Sequence, residues 1–325
     1  MTKLHNLFRV LLTLSLALIV GGLFIQLSGK NALIAYKVLF NSAFGSQVAL
    51  ANSLLAATPF FSTVKPKKAE SMTEEEQTNR AWYIGAKREE VGTAAILVGD
   101  PARIERIAEH MSEVHFVPEN RGLKTITGTR DGQRITVSAF GMGAPIATIV
   151  LHELHALGIS TFLRIGTAMA VKPAKLGDFV LADGALRAEG TSNTYAPLGF
   201  PAIADFELNT ELRDRLMTSG RTWHAGILGT YDGFYTEMFG LSGERREMIG
   251  TLKDDIKRLG LIGTDMETSA LLTAARILRV RASTLCVATV DAETQAKIED
   301  DDMAVLEREM FEIALDVTAR LAALV

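Results

Sequence analysis

Gly263-Thr264-Asp265-Met266-Glu267-Thr268-Ser269-Ala270-Leu271-Leu272 is the stretch around which the chain is organised. An acidic pair brackets a methionine just ahead of the run Ser269 to Leu278, whose apolar spacing predicts a helix. Glu267 therefore falls near a helix start, where a negative charge is tolerated. A carboxylate there can accept two hydrogen bonds from a vicinal diol, and the neighbouring methionine offers a soft apolar surface. That combination suits a ribose. An acidic first turn on an ordinary helix is the competing reading.

Working outward, Ser283 to Val290 reads as an apolar strand ending at Asp291, and Asp302 to Leu324 as a closing helix. The lone Cys286 lies in that strand and cannot form an internal disulfide, so a buried thiol is expected. Upstream, Ala94 to Val98 is a short apolar strand that Gly99-Asp100-Pro101 turns into a helix from Ala102 to Met111. A strand, a glycine turn and a helix start make an anion site, because backbone N–H groups point outward there. Arg103, in the first helical turn, adds a forked cationic donor. Residues 124–140 alternate about Asp131-Gly132 as a hairpin, and Gly141-Met142-Gly143-Ala144-Pro145 leads into a helix from Ile146 to Leu157. Thr161 to Ile165 is a buried strand running into Arg164-Ile165-Gly166-Thr167. An arginine inside an apolar strand needs an anionic partner, either a core carboxylate or a ligand, and the Gly-Thr turn beside it favours the ligand. Gly177 to Ala182 and Gly226 to Thr230 are further strands, and Gly184 to Phe206 reads as a long irregular loop. Strands alternate with helices and polar residues cluster past strand ends. This predicts an α/β domain with its site at the carboxyl edge of the sheet.

The charge is unevenly divided. Residues 1–69 carry seven Lys/Arg and no Asp/Glu, against 27 and 38 in the remainder, so a basic apolar leader precedes an acidic body. The body has no basic stripe, which argues against nucleic acid as a partner. His152 and His155 share a helix but have no third ligand nearby in sequence, so no metal site is expected. In the leader, Val10 to Leu27 is an 18-residue uncharged run, long enough to cross a bilayer, and a signal peptide is its competing reading. Gly29 to Phe40 reads as a loop with a short amphipathic piece. Val48 to Val64 is a second uncharged run, marginal as a span because of Asn52, Ser53 and Pro59. Residues 70–80 read as a solvated linker. The expected organisation is thus a leader over 1–69 with one transmembrane segment and one marginal one, a linker over 70–81, and a catalytic body over 82–325.

Two resemblances follow. Ser28-Gly29-Lys30-Asn31-Ala32, Ala43-Phe44-Gly45-Ser46 and Ala51-Asn52-Ser53-Leu54-Leu55-Ala56-Ala57-Thr58-Pro59 resemble the start of nucleoside or sugar ABC-transporter permeases, over residues 1–64 only. The body, over about 82–325, resembles the nucleoside phosphorylases of the uridine phosphorylase and hexameric purine nucleoside phosphorylase type. Its carriers are Gly99-Asp100-Pro101-Ala102-Arg103, Gly141-Met142-Gly143-Ala144-Pro145, Arg164-Ile165-Gly166-Thr167, Phe200-Pro201-Ala202-Ile203-Ala204-Asp205-Phe206, Phe234-Tyr235 and Asp265-Met266-Glu267. This resemblance implies a three-layer α/β/α sandwich around a twisted, mixed sheet that is partly closed. It implies a dimer-based homo-oligomer, up to a hexamer, and no cofactor, with inorganic phosphate as co-substrate. Residue by residue, Gly99, Arg103, Arg164 and Thr167 would hold phosphate, and Arg121 would reach a neighbouring subunit's phosphate. Met266 and Glu267 would hold the ribose, and Tyr83 stands where the family has a histidine that contacts a neighbour's ribose. Phe234 and Tyr235 would meet the base. Glu267, Arg164 and Asp291 are the catalytic candidates.

The departures concern the base. Uridine phosphorylases carry a glutamine and an arginine after the Phe-Tyr pair, whereas Thr236-Glu237-Met238-Phe239-Gly240 contains neither. Asp291 stands where purine-cleaving relatives place an acid for the leaving group, and a strand-end aspartate capping a turn is the competing reading. The stretch Leu186 to Phe206 is more like the uridine enzymes. A uridine-type phosphorylase is therefore expected. Its rivals are a purine nucleoside phosphorylase, a hydrolytic nucleosidase and a transport-associated nucleoside-binding protein. The body is expected at the cytoplasmic face of a membrane, tethered by the leader, or free in the cytoplasm if the leader does not insert.

Overall fold

The computed structural model describes residues 13, 15, 19–29, 31–44, 80–238, 256 and 258–324. The chain divides into two compact units, Met1–Ser71 and Met72–Val325. In the first, residues 19–27 are helical and α1 spans Ala32–Phe44. The loop expected over Gly29 to Phe40 is thus largely helix. The segment after Asn31 contains no glycine or proline, and Asn31 Oδ1 caps it by accepting from Ile34 N at 3.2 Å. Among the described residues no helix is long and apolar enough to cross a membrane. At about 1.5 Å per residue, the 13 residues of α1 reach only ~20 Å, short of a hydrocarbon core of about 30 Å. Part of the run 10–27, all of the run 48–64 and the linker over 70–79 lie outside the described residues.

Among its described residues the second unit has ten strands: β1 (Ala94–Val98), β2 (Ser112–Asn120), β3 (Leu123–Arg130), β4 (Gln133–Ala139), β5 (Thr161–Ala170), β6 (Phe179–Arg187), β7 (Ala202–Ile203), β8 (Trp223–Thr230), β9 (Leu261–Asp265) and β10 (Arg281–Asp291). Among the described residues six helices join them: α2 (Arg103–Ala108), α3 (Ala144–Ala156), the one-turn α4 (Ser192–Tyr195), α5 (Phe206–Met217), α6 (Thr268–Leu278) and α7 (Asp300–Ala322). The sheet runs β2-β3-β4-β1-β5-β9-β8-β6-β10, and β10 returns to pair with β5. One half is therefore an open sheet and the other closes on itself, as the resemblance implies. β1 is parallel to β4 and β5, β10 is parallel to β5, and β9 is antiparallel to β5.

Strand alternation divides the core into two layers. Ile96 and Val98 of β1 pack with Ile104, Leu212, Met310 and Phe311 from α2, α5 and α7. Ala95 and Leu97 face the other way, with Leu151 of α3 and Leu271 of α6. Helices on both faces of a mixed sheet make the expected three-layer sandwich. All five residues of β1 are buried, and ten of the eleven residues of α6 are apolar or small hydroxyl side chains. The hairpin expected over 124–140 is β3–β4, with Thr125 opposite Ser138 and Arg130 opposite Gln133. Several strands outrun or escape the sequence reading, β7, β8 and β10 among them. β5 extends to Ala170, β6 extends to Arg187, and β2 and β9 lie where no strand was expected.

Candidate active site

The carboxyl ends of β1, β5, β9 and β10 open into one cleft of about 700 Å³. Gly99, Arg103, Arg164, Thr167, Phe234, Tyr235, Met266 and Glu267 all line it. The topology explains the convergence. β1 and β5 are parallel neighbours, with Leu97 opposite Arg164 and Val98 opposite Ile165, so the Gly99 turn and the Gly166-Thr167 segment emerge side by side. β9 runs antiparallel to the end of β5, with Met169 opposite Thr264, and this brings Asp265-Met266-Glu267 back across the same edge.

Glu267 sits at the N-terminus of α6, buried to 6 % exposure. Its Oε1 accepts from the Gly143 backbone N–H at 2.7 Å, and its Oε2 accepts from the Arg164 guanidinium at 2.5 Å. Gly143 holds φ +98°, a conformation open to glycine and strained for other residues, so this donor depends on the glycine. Burial, reinforced by the charge of Asp265, pushes the Glu267 carboxyl above the usual carboxylate range, against the pull of Arg164 and the Gly143 N–H.

Arg164 is 5 % exposed. The Glu267 contact is through Nη2; Nη1 lies 3.0 Å from Asp265 Oδ2 and also donates to Cys286 Sγ at 3.0 Å. Burial alone would weaken its charge, but Cys286, Glu267 and Asp265 more than offset this and raise its pKa. The guanidinium folds back over Gly166, where a Cβ would lie 3.0 Å from a terminal nitrogen. The Cys286 thiol is pushed up to about 11 by burial, which keeps it a neutral partner and fits the expected buried thiol. Arg164 thus pairs with core carboxylates, one of its two readings, and it also lines the cleft.

Asp265 is the link that the sequence reading did not single out by itself. Its carboxylate accepts from Thr230 Oγ1 at 2.9 Å and from the Thr268 N–H at 3.1 Å, so it caps α6 while holding Arg164. Arg103 is also buried, and its Nε donates to Glu307 of α7 at 2.6 Å. Phe234–Met238 forms a single π-helical turn, with the Phe234 and Tyr235 rings edge to face at 4.9 Å. Met142, Met169, Met238, Thr264, Thr289, Val290 and Lys297 also line the cleft and were not anticipated. Thr264 lies within the opening stretch, and Met142 and Met169 lie beside glycine turns already read as site segments. Nothing in the local pattern marks Lys297.

Three expected residues lie elsewhere. Tyr83 and Arg121 share a neighbouring cavity of about 240 Å³ with Phe140 and Ile146, and the Arg121 guanidinium lies 5.0 Å from the Tyr83 ring centre. Asp291 does not line the cleft. Its Oδ1 accepts from the Glu293 N–H at 3.0 Å, the Thr294 N–H at 2.6 Å and Thr294 Oγ1 at 2.8 Å. Burial opposes its charge, but these donors prevail and hold the carboxyl below its usual range. This is the geometry of the competing reading, a strand-end aspartate whose Oδ1 caps the turn that follows β10.

The stretch Gly184 to Phe206 is a braced strap instead of an irregular loop. Arg187 donates to the carbonyls of Ser192, Ala196, Pro197 and Phe200. The buried Glu189 accepts from Ser192 N at 2.9 Å and Ser269 Oγ at 2.7 Å, tying the strap to the first turn of α6.

Comparison with known proteins identifies the family. The phosphorylase superfamily profile matches residues 93–321. The chain is similar to a uridine phosphorylase of Thermococcus kodakarensis, at 32 % identity over 70 % of this chain and 80 % of the relative. It is also similar to a guanosine phosphorylase of Halorubrum lacusprofundi, at 32 % identity over 70 % of this chain and 92 % of the relative. Among solved structures, a uridine phosphorylase from Vibrio fischeri superimposes with a TM-score of 0.68 at 29 % identity, covering 74 % of this chain and 98 % of that one.

Proposed function

Because this chain belongs to the phosphorylase superfamily, in its nucleoside phosphorylase family, we propose that the cleft binds a nucleoside together with inorganic phosphate and exchanges the base for phosphate. The products are the free base and ribose 1-phosphate, and no cofactor takes part. The observation that carries this reading is that Glu267 and Met266 line one cleft together with Gly99, Arg103, Arg164 and Thr167. A phosphate oxygen attacks C1′ from the face opposite the base. The C1′–N bond breaks, the base nitrogen keeps the electron pair and is protonated, and the ribose passes through an oxocarbenium-like state. The arginines and the glycine turn position the dianion, and the Glu267 carboxylate holds the diol while positive charge grows in the ring.

For the base we propose a uridine-type substrate. Phe234, Met238, Met169 and Val290 give the cleft an apolar wall beside the polar Thr264, Thr289 and Lys297, and the Asp291 carboxylate is engaged in its own turn. Asp291→Asn keeps the acceptor oxygen of that turn, so turnover of every nucleoside tested is expected to stay within about threefold of wild type. A loss confined to purine nucleosides would restore Asp291 as their leaving-group acid. A panel of pyrimidine and purine nucleosides, each assayed for base release with and without phosphate, identifies the base.

We propose further that Arg121 and Tyr83 serve the site of a partner copy in a dimer-based oligomer. Support comes from their shared cavity outside the cleft and from the apolar Trp82 (80 % exposed) and Phe116 (53 %) on nearby segments. Co-expression of an Arg121→Ala chain with a Glu267→Gln chain tests this. Random pairing makes half of the dimers mixed, each with one intact site, so about a quarter of wild-type activity is expected. Activity no higher than the sum of the two parents would place Arg121 in its own subunit's chemistry or outside the reaction.

The leader is proposed to associate with a membrane, with the body on the cytoplasmic face. The support is its uncharged run and its exposed apolar side chains, among them Phe24, Leu27, Leu33 and Phe40. Full-length protein is expected in a salt-resistant membrane pellet, and a chain beginning near Ser71 in the supernatant with equal activity. Full-length protein in the supernatant would remove the tether.

A further inference from the structure

Arg103 is held from behind. Its Nε donates to Glu307 Oε1 at 2.6 Å, and both side chains are 9 % exposed. Glu307 comes from α7, 204 residues further along the chain. Its Oε2 accepts from Arg106 Nε at 2.6 Å, and an Arg106 terminal nitrogen reaches Oε1 at 3.2 Å. Arg103 and Arg106 are three apart on α2, so they share one face, and a single carboxylate lies between two cations. Arg106 also donates to Asp100 Oδ2 at 3.1 Å, and Asp100 Oδ1 accepts from the Ala102 N–H at 2.9 Å within the turn after β1. Turn, helix start and C-terminal helix are thus joined through Glu307. The contact engages Nε of Arg103 and leaves its terminal fork, the part of arginine that matches an oxyanion, to the cleft that Arg103 lines. A flexible side chain that would otherwise lose rotamer freedom on binding a ligand has already been ordered by the fold.

We propose that Glu307 is a positioning residue for the phosphate subsite, fixing Arg103 in its phosphate-binding orientation. This rests on the phosphorylase reading of the cleft. Glu307→Gln preserves shape but removes the charge, and whichever way the amide turns, its NH2 faces an arginine N–H that the carboxylate accepts from. The phosphate KM is expected to rise about tenfold or more, while the nucleoside KM moves less than about threefold. The gain in Tm that phosphate gives the wild type shrinks in parallel. Arg106→Gln, which leaves the Arg103–Glu307 contact in place, raises the phosphate KM much less. If Glu307→Gln does not fold, Glu307→Asp keeps the charge on a shorter arm and must show the same split on a smaller scale. Equal changes in both KM values, or a lower kcat with an unchanged phosphate KM, would make Glu307 a purely structural residue and overturn the proposal. A wild-type enzyme that releases base without phosphate would instead sink the phosphorylase reading, and that result is read before any variant is made.

Discussion

Glu267→Gln is expected to lower kcat/KM by about 10²-fold or more with the fold intact. The amide is the same size as the carboxyl, so packing around α6 is preserved. Its chemistry is not. The carboxylate accepts from the Gly143 N–H through one oxygen and from Arg164 through the other. A glutamine must turn its NH2 toward one of these donors, and it brings no negative charge to a ribose that becomes positive in the transition state. Circular dichroism and Tm near wild type, with turnover lost, are the expected results. Activity within a few-fold of wild type would remove Glu267 from the site. Burial raises the carboxyl above its ordinary range, so the acid limb of kcat/KM is expected above that of a free glutamate, and the variant should lack it. The stability sign is the reverse. A carboxyl whose folded pKa is raised contributes stability below its unfolded pKa, and that contribution is lost as pH rises through the folded value. Relative to wild type, the glutamine variant should therefore gain stability as pH rises.

Arg164→Ala is expected to abolish measurable phosphate use and to destabilise the protein by about 3–5 kcal/mol. Asp265 and Glu267 are both buried, and the guanidinium is the cation they share, at 3.0 and 2.5 Å. Without it two carboxylates face each other in a water-poor site, and one must take up a proton to be accommodated. Arg164→Lys should not rescue, because one ammonium cannot reproduce a fork that meets Asp265 with one nitrogen and Glu267 with the other. Chemical denaturation gives the stability loss, and the absence of thermal protection by phosphate gives the functional one. A folded Arg164→Ala protein with an unchanged phosphate KM would confine Arg164 to the core.

The frame of the body was legible because its central strands are short apolar runs closed by glycine turns. Ala94 to Val98 and Thr161 to Ile165 are buried at every position, and both lead straight into site residues. Gly99, Arg164 and Thr167 came with them, read from strand ends that the topology gathers, whereas Arg103 and Glu267 were read from helix starts, and Arg121 and Tyr83 came only from the resemblance. The failures have physical causes. β2 is an edge strand with only Val117 buried and with Pro118 within it, so it carries neither alternation nor a hydrophobic run. β9 is five residues long and contains Gly263, which reads locally as a turn. The extension of β5 to Ala170 depends on pairing with β10 and β9, a long-range fact that periodicity does not contain. Asp291 shows the limit of position. Its place at a strand end matches that of a catalytic acid, but Thr294 three residues later claims the carboxylate for a turn. Glu307 was invisible for a related reason. It sits on a long helix among other acids, and only the packing of α7 against α2 reveals its partner.

The central claim is that phosphate, and not water, is the nucleophile. Incubating the enzyme with uridine and phosphate and following the reaction by phosphorus-31 NMR tests this directly. The predicted result is ribose 1-phosphate accumulating in step with free base, with no base released when phosphate is omitted. Base release accompanied by free ribose, at a rate indifferent to phosphate, would contradict it.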